Sequence, residues 1–269
     1  METDRFRDDD AVEFLRLSAS EGWICDEWES RFLCRTFPQG CLVKRVQGFP
    51  VAYVTSIRHE TSGWIGNLLV HPDLRRRGLG AELMAQAITA LEEAGVATIW
   101  LTASSSGKPL YERLGFREID IIRRWSGAGM AVNPDSSAGL SPSDLVLMDA
   151  SGWGDRRESL ITSLAAKGTV LTGGGAFFVV RPVGGISQIG PWAGVSAAAL
   201  VNLFDQAVAP SQGRVNLCLD SPAGNVAVGR YLERQGFKAI GSTVLMYRGE
   251  PPVYLPVHVG ALGSLGSMG

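Results

Sequence analysis

The stretch NLLVHPDLRRRGLG, residues 67–80, decides the fold of this chain. The apolar run Trp64–Val70 predicts a strand, and apolar residues at helical spacing in Ala81–Ala94 predict a helix. N–H groups in the first turn of a helix have no partner within the helix, and the helix dipole adds positive charge there. Gly78 and Gly80 allow a ligand to approach the backbone closely, and Arg75, Arg76 and Arg77 add positive charge. The stretch therefore predicts a binding site for a pyrophosphate.

Composition limits the possible classes of protein. The chain has 269 residues and a formal net charge of -2, and at about 150 residues per domain this length predicts two domains. The balanced charge argues against a nucleic-acid partner, and no apolar run approaches the ~20 residues that cross a bilayer. The acidic start, Met1–Asp10, is not a signal peptide. Scattered Cys and His residues predict no metal site, so we expect a cytoplasmic protein with reduced thiols.

The first half of the chain reads as alternating helices and strands. The pattern predicts helices over 8–20, 28–34 and 108–114, and strands over 41–46, 51–57, 97–102 and 118–125. Residues 126–143 are rich in Ser, Gly, Ala and Pro, which indicates a linker. We therefore place a first domain at 1–125.

The second half repeats this plan. The pattern predicts strands over 145–148, 176–181, 186–189, 215–220 and 238–247, and helices over 155–166, 196–209 and 226–235. The sequence YERLGF ends at Phe116, and LERQGF ends one domain length later at Phe237. This repeat indicates a duplicated domain over 144–250, followed by a Gly/Pro-rich tail over 251–269.

Two motifs carry a resemblance to a known family. Arg75-x-x-Gly78-x-Gly80 resembles the acetyl-CoA signature of the GNAT superfamily of N-acetyltransferases, and LYERLGF over 110–116 resembles its downstream motif. The second half resembles the degenerate GNAT-like domain of YitH/HolE-type tandem chains. The resemblance implies an α/β (α+β) fold of two tandem GNAT-type domains. Each would have a mixed, mainly antiparallel sheet flanked by helices, and two strands that splay apart to admit the cofactor.

The same resemblance implies a cofactor, acetyl-CoA, and residues that hold it. The strand before the loop would pair with the pantetheine arm, and the loop would hold the pyrophosphate. Ser104 stands where many members have an asparagine that touches the cofactor. These positions are Leu68, Leu69, Val70, Arg75, Arg76, Arg77, Gly78, Leu79, Gly80, Ala81 and Ser104. Tyr111 stands where the family commonly has the general acid that protonates the leaving thiolate.

The general base has no clear position, because the strand before the loop carries no carboxylate. Glu60, at the end of the preceding strand, is our first candidate, and the alternatives are His59, Asp26, Glu27 and Glu29. For the acceptor pocket we expect Trp23, Asp26 and Trp28, with Trp153 and Trp192 as candidates from the second half.

The second half lacks the motif that would bind a cofactor. The turn before its helix reads GPWAGV over 190–195, and Leu232 stands at the position equivalent to Tyr111. We therefore expect one cofactor site, in a monomer or homodimer. The leading function is acetyl transfer from acetyl-CoA to the amine of a small molecule. A peptide acceptor, a CoA-binding sensor or regulatory pseudo-enzyme without turnover, and a structural pairing module remain open.

Overall fold

The structure, a computed structural model, describes residues 2–128, 130–132, 139–210 and 216–269. The strands are β1 (Glu2–Arg5), β2 (Leu42–Val46), β3 (Phe49–Arg58), β4 (Ser62–Val70), β5 (Thr98–Ala103), β6 (Arg117–Ala128), β7 (Met130–Val132), β8 (Thr169–Gly173), β9 (Ala176–Val183), β10 (Ile186–Gly194), β11 (Val208–Pro210), β12 (Asn216–Pro222), β13 (Lys238–Gly249) and β14 (Val259–Ala261). The helices are α1 (Ala11–Ser20), α2 (Glu27–Thr36), α3 (Leu79–Glu93), α4 (Lys108–Arg113), α5 (Pro142–Trp153), α6 (Glu158–Lys167), α7 (Ala197–Ala207) and α8 (Val226–Arg234).

Both halves of the chain contribute to one sheet of 12 strands. Its order is β1-β2-β3-β4-β5-β13-β6-β12-β10-β9-β8, and β14 pairs with β10. Among the described strands, only the pairs β4–β5 and β10–β12 are parallel. The predicted mixed, mainly antiparallel architecture flanked by helices is therefore confirmed.

The two halves exchange their last strands. Strand β13 of the second half lies between β5 and β6 of the first, with Leu245 opposite Thr102 on one side and Asp120 on the other. Strand β6 in turn pairs with β12 of the second half. Because backbone hydrogen bonds run through all four strands, the segments 1–125 and 144–250 share a continuous sheet.

One predicted strand is a helix in the structure. Residues 145–148 lie within α5, which begins with a capping box between Ser141 and Asp144 and has Pro142 in its first turn. The expectation of a strand there was wrong because the short apolar run belongs to a longer helix, in which Leu145 and Val146 are buried and Leu147 is 56% exposed. Val215, residue 129 and residues 133–138 of the predicted linker lie outside the described residues.

The helices cover the two faces of the sheet. Helix α3 packs its apolar side on one face, and α1, α2 and α5 cover the other. Trp153 lies between Trp64 and Trp100, with ring centroids 6.0 and 5.6 Å away. Trp192 stacks on Phe204 at 4.6 Å. Both tryptophans offered as pocket candidates are thus core residues, which corrects that expectation.

Candidate active site

Strands β4 and β5 pair over their first three residues and then separate. Their parallel pairing runs from Ser62 opposite Thr98 to Trp64 opposite Trp100 and stops there. Beyond this point β4 contains a bulge, where its register with β3 shifts. Asn67 within the bulge has a positive φ of 55°, and its amide donates to the Thr55 hydroxyl at 3.0 Å. The bulge turns β4 away from β5 and opens a slot through the sheet.

A cavity of about 210 Å³ occupies this slot. On the face covered by α3 it is lined by Ile65, Met84, Leu101 and Tyr111. On the opposite side it is lined by side chains of the first half and by a segment from the end of the described chain: Trp23, Cys25, Glu29, Thr102, Arg124 and residues 265–267. The cavity therefore runs through the sheet and connects its two faces.

The start of α3 is free to bind an anion. The first bond within the helix runs from the Glu82 N–H to the Gly78 carbonyl at 3.0 Å, so the N–H groups of residues 79–81 have no acceptor in the helix. Gly78 precedes the helix with a φ of 84°, and no side chain caps it. Arg76 and Arg77 are exposed, and among the described residues neither forms an ion pair. These groups fit a pyrophosphate.

Two further details of this loop bear on the cofactor. Arg75 is already engaged, since its guanidinium donates to the Val70 carbonyl at 3.0 Å and to Glu21 at 2.5 Å. It therefore shapes the loop rather than presenting a free charge. A Cβ added at Gly80 would lie 3.6 Å from Val70 and 3.7 Å from Leu68. The glycine thus keeps the space between the helix start and β4 clear of a side chain.

Tyr111 reaches the cavity from α4. Its ring packs edge-on against Phe116, with centroids 6.1 Å apart, and lies against Gly107. Burial raises the pKa of its phenol to about 12, so the hydroxyl is protonated at neutral pH and is available as a hydrogen-bond donor. Ser104 also lines the cavity, and its hydroxyl accepts from the Gly107 N–H at 3.1 Å. The structure thus brings both predicted residues to one cavity.

Glu29 is the carboxylate that lines the same cavity. It lies on α2 and is only 5% exposed. Ser267 donates to one carboxylate oxygen, and Arg181 of β9 donates to the other at 3.1 Å. Burial raises its pKa, and the Arg181 charge opposes that rise. The sequence indicated Glu29 only as one of several alternatives, and Arg181 could not be found because it comes from the other half.

The remaining predicted residues are dispersed. Trp23 lines the cavity and is 38% exposed. Asp26 instead caps α2, accepting from the Glu29 N–H at 2.7 Å and from Arg181 at 3.1 Å. Trp28 stacks on Phe32 outside the cavity.

Of the other base candidates, Glu27 pairs with Arg31 outside the cavity, and Glu60 and His59 lie near the closed end of the slot. Glu60 is exposed, and its backbone N–H donates to the Arg156 carbonyl at 3.4 Å. His59 is buried beside Asp155 and Arg157, and burial lowers its pKa to about 3. The structure therefore brings none of these residues to Tyr111.

Comparison with known proteins agrees with this geometry. Residues 4–116 match the model of the acetyltransferase (GNAT) family, and residues 145–257 match a second model, described as an acetyltransferase (GNAT) domain. The chain belongs to the GNAT acetyltransferase family. Among the described helices of this GNAT protein, none is long and apolar enough to cross a membrane.

Curated relatives match parts of the chain. The [ribosomal protein bS18]-alanine N-acetyltransferase of Escherichia coli K12 is 45% identical over 62 residues, which cover 22% of this chain and 42% of that protein. An uncharacterized N-acetyltransferase of Methanocaldococcus jannaschii is 29% identical over 108 residues, 36% of this chain and 48% of that protein. The GNAT chain thus spans less than half the length of these relatives.

Solved structures match nearly the whole chain. A provisionally assigned acetyltransferase from Pyrococcus horikoshii superimposes with a TM-score of 0.79 at 18% identity, covering 97% of this chain and 93% of that one. A GCN5-related N-acetyltransferase from Sphaerobacter thermophilus gives a TM-score of 0.62 at 16% identity, covering 95% and 98%. The tandem fold is therefore shared with these proteins.

The second GNAT domain is closed where the first is open. Its strands β10 and β12 pair over Ser187 and Gln188 and then separate. The gap between them is filled by β14, which pairs with β10. The N–H of Leu262, just after β14, donates to the Asp220 carbonyl of β12 at 2.8 Å. Helix α7 is capped as well, because the Ser196 hydroxyl accepts from the Ala199 N–H. Both the slot and the helix start are thus already used by the protein's own groups.

Proposed function

We propose that this GNAT protein transfers the acetyl group of acetyl-CoA to the amine of a small molecule, at one site in its first domain. The observation that carries the proposal is the cavity between β4 and β5, which is lined by a protonated phenol, Tyr111, and a buried carboxylate, Glu29. The capped α7 and the strand that fills the second slot support a single site.

The open start of α3 supports a binding site for acetyl-CoA in the first domain. The N–H groups of Leu79, Gly80 and Ala81, with the Arg76 and Arg77 charges, would hold the pyrophosphate. The unpaired main chain of β4 after Trp64 would pair with the pantetheine arm. When bound, acetyl-CoA supplies the acetyl thioester, whose carbon–sulfur bond breaks as the carbon–nitrogen bond forms.

The carboxylate of Glu29 would orient the amine and receive its proton. A carboxylate offers about four lone-pair sites, and Ser267 and Arg181 occupy two of them. Within the described part of the chain no other side chain donates to Glu29, so the remaining sites can accept from an amine in the cavity. Because burial raises the pKa of Glu29, its carboxylate is a stronger base than that of an exposed glutamate. The Tyr111 hydroxyl would donate its proton to the departing sulfur.

The relatives support an amine acceptor but not its size. The Escherichia coli relative is named for an alanine of ribosomal protein bS18, and its similarity covers 22% of this chain. That similarity supports N-acetyl transfer as the reaction class. The small-molecule acceptor rests instead on the small volume of the cavity.

Thiol release from acetyl-CoA in the presence of a panel of amines tests this proposal. We expect wild-type turnover whose kcat/KM falls as the pH drops through the raised pKa of Glu29, since protonated Glu29 cannot accept a proton. Glu29→Gln should lower turnover and abolish this fall of kcat/KM at low pH, while the affinity for acetyl-CoA is retained. Acetyl-CoA binding with no release for any amine would instead support a CoA-binding sensor.

A further inference from the structure

We propose that residues 262–268, here the closing segment, form a fixed wall of the acceptor pocket, and that Leu265 sets the size of the amine that fits. The inference rests on the function proposed above and narrows it. The acceptor would be a small primary amine, and a polypeptide N-terminus would be excluded.

The closing segment crosses the sheet where β4 and β5 separate. The Trp64 indole donates to the Gly266 carbonyl at 3.3 Å, and the Thr102 hydroxyl donates to the same oxygen at 3.4 Å. A Cβ on Gly66 would lie 2.4 Å from the Ser267 carbonyl oxygen. Since Trp64 and Gly66 belong to β4 and Thr102 to β5, the segment bridges both sides of the slot on the face opposite α3.

Several contacts hold the segment in place. Arg124, which is paired with Asp220, donates to the Leu265 carbonyl at 2.8 Å. The Ser264 hydroxyl accepts from the N–H groups of Ser267 and Met268 at 3.0 and 2.8 Å. The side chain of Met268 is fully buried in the core that contains Trp64 and Trp153. Displacement of the segment would expose that core, so it acts as a wall rather than a mobile lid.

The space that remains is small. Pockets for drug-sized ligands measure about 300–1,000 Å³, whereas this cavity measures about 210 Å³ and must also take the acetyl end of the cofactor. An extended peptide would need the face of the slot that Gly266 and Ser267 already cover. These dimensions favour an acceptor with few atoms beyond its amine.

Leu265 is the residue of the wall whose side chain can set the size limit. Residues 265–267 line the cavity, but Gly266 has no side chain and the Ser267 hydroxyl is bonded to Glu29. Leu265 is partly exposed, and the bond from Arg124 uses its carbonyl rather than its side chain. Its side chain can therefore be changed without loss of that bond.

The test compares full-length wild type with Leu265→Ala, Leu265→Phe and a matched control, Leu255→Ala. Leu255 is 45% exposed and lies outside the cavity. Thiol release is measured with primary amines of increasing size and with a peptide that begins with alanine, and acetyl-CoA affinity is measured for each variant. Melting curves verify that each variant is folded.

We expect wild type to prefer small amines over the peptide by at least about 100-fold in kcat/KM, as a closed pocket that excludes the larger acceptor requires. The ratio of kcat/KM for bulky amines to kcat/KM for small amines should rise about tenfold in Leu265→Ala and fall in Leu265→Phe. The affinity for acetyl-CoA should be unchanged in both variants. The ratio should stay unchanged in Leu255→Ala.

Two results would overturn the inference, and they are distinguishable. Equal use of peptide and small amines, or a ratio that neither Leu265 variant moves, would refute the wall while leaving acetyl transfer intact. No thiol release by wild type with any amine would refute the proposed function, and the acceptor wall with it.

Discussion

Arg181 of the second half forms ion pairs with Asp26 and Glu29 of the first half, and replacing it in Arg181→Met tests how much these pairs stabilise the protein. Arg181 lies on β9 and is 1% exposed. Its guanidinium donates to Asp26 and to Glu29, each at 3.1 Å, and lies 5.4 Å from the centre of the Trp28 ring. Methionine keeps the aliphatic part of the side chain and removes the guanidinium group with its charge and hydrogen bonds, so most of the expected loss is electrostatic.

The expected loss of stability in Arg181→Met comes from the buried charge that loses its partner. Removing one partner of a buried ion pair leaves an uncompensated charge and costs about 3–5 kcal/mol in the free energy of unfolding. Glu29 is the charge left behind, because it is 5% exposed and retains only Ser267 as a side-chain partner among the described residues. A matched control, Arg31→Met, breaks an exposed pair with Glu27 and should cost about 0.3–0.5 kcal/mol.

Urea unfolding at pH 7.5 and pH 5 measures both variants. Without Arg181 the folded-state pKa of Glu29 rises further above its unfolded value, so the variant is relatively more stable at low pH and loses stability as pH rises. The Arg181→Met defect should therefore shrink at pH 5. It should also shrink in the double variant with Glu29→Gln. A defect below 1 kcal/mol, or one equal at both pH values, would refute this account of the pair.

Three further predictions concern the site and its surroundings. Tyr111→Phe should lower kcat about 10²–10⁴-fold with unchanged acetyl-CoA affinity, measured by thiol release and calorimetry; unchanged kcat would remove Tyr111 as the acid. Gly80→Ala, whose added methyl meets only ordinary contacts in the protein, should keep the melting temperature but weaken acetyl-CoA binding, and unchanged affinity would contradict the proposed cradle. Burial beside Arg157 lowers the pKa of His59 to about 3, so the free energy of unfolding should fall by up to about 1.4 kcal/mol per pH unit below pH 6.5. His59→Phe should remove this slope, and an equal slope in both proteins would contradict the assignment.

The local elements around the cofactor loop were predictable from the sequence. The β4 strand, the loop and α3 follow from periodicity, and Gly95 follows the helix with a positive φ of 81°. The β4–β5 slot follows from the family resemblance, and the parallel pairing that stops at Trp64 agrees with it. These features depend on residues that are close together in the sequence.

The contacts between the halves were not predictable. The insertion of β13 beside β5 depends on pairing over more than a hundred residues, and no local pattern encodes which strand edge is free. The tail over 251–269 shows no periodicity, yet much of it is buried. Its strand β14 fills the slot of the second domain, and its residues 265–267 line the cavity of the first. The hydrogen bond between Arg181 and Glu29 also joins the two halves, so the sequence alone does not single out Glu29 and favours Glu60 as the base.

Titration of the chain with acetyl-CoA by calorimetry tests the central claim most directly. The account predicts one site per chain, because the first domain has an open slot and an uncapped α3, whereas β14 and Ser196 close the equivalents in the second. A stoichiometry of two would show that the second domain also binds. Absence of binding to the folded protein would contradict the site, and the mechanism built on Tyr111 and Glu29 would fall.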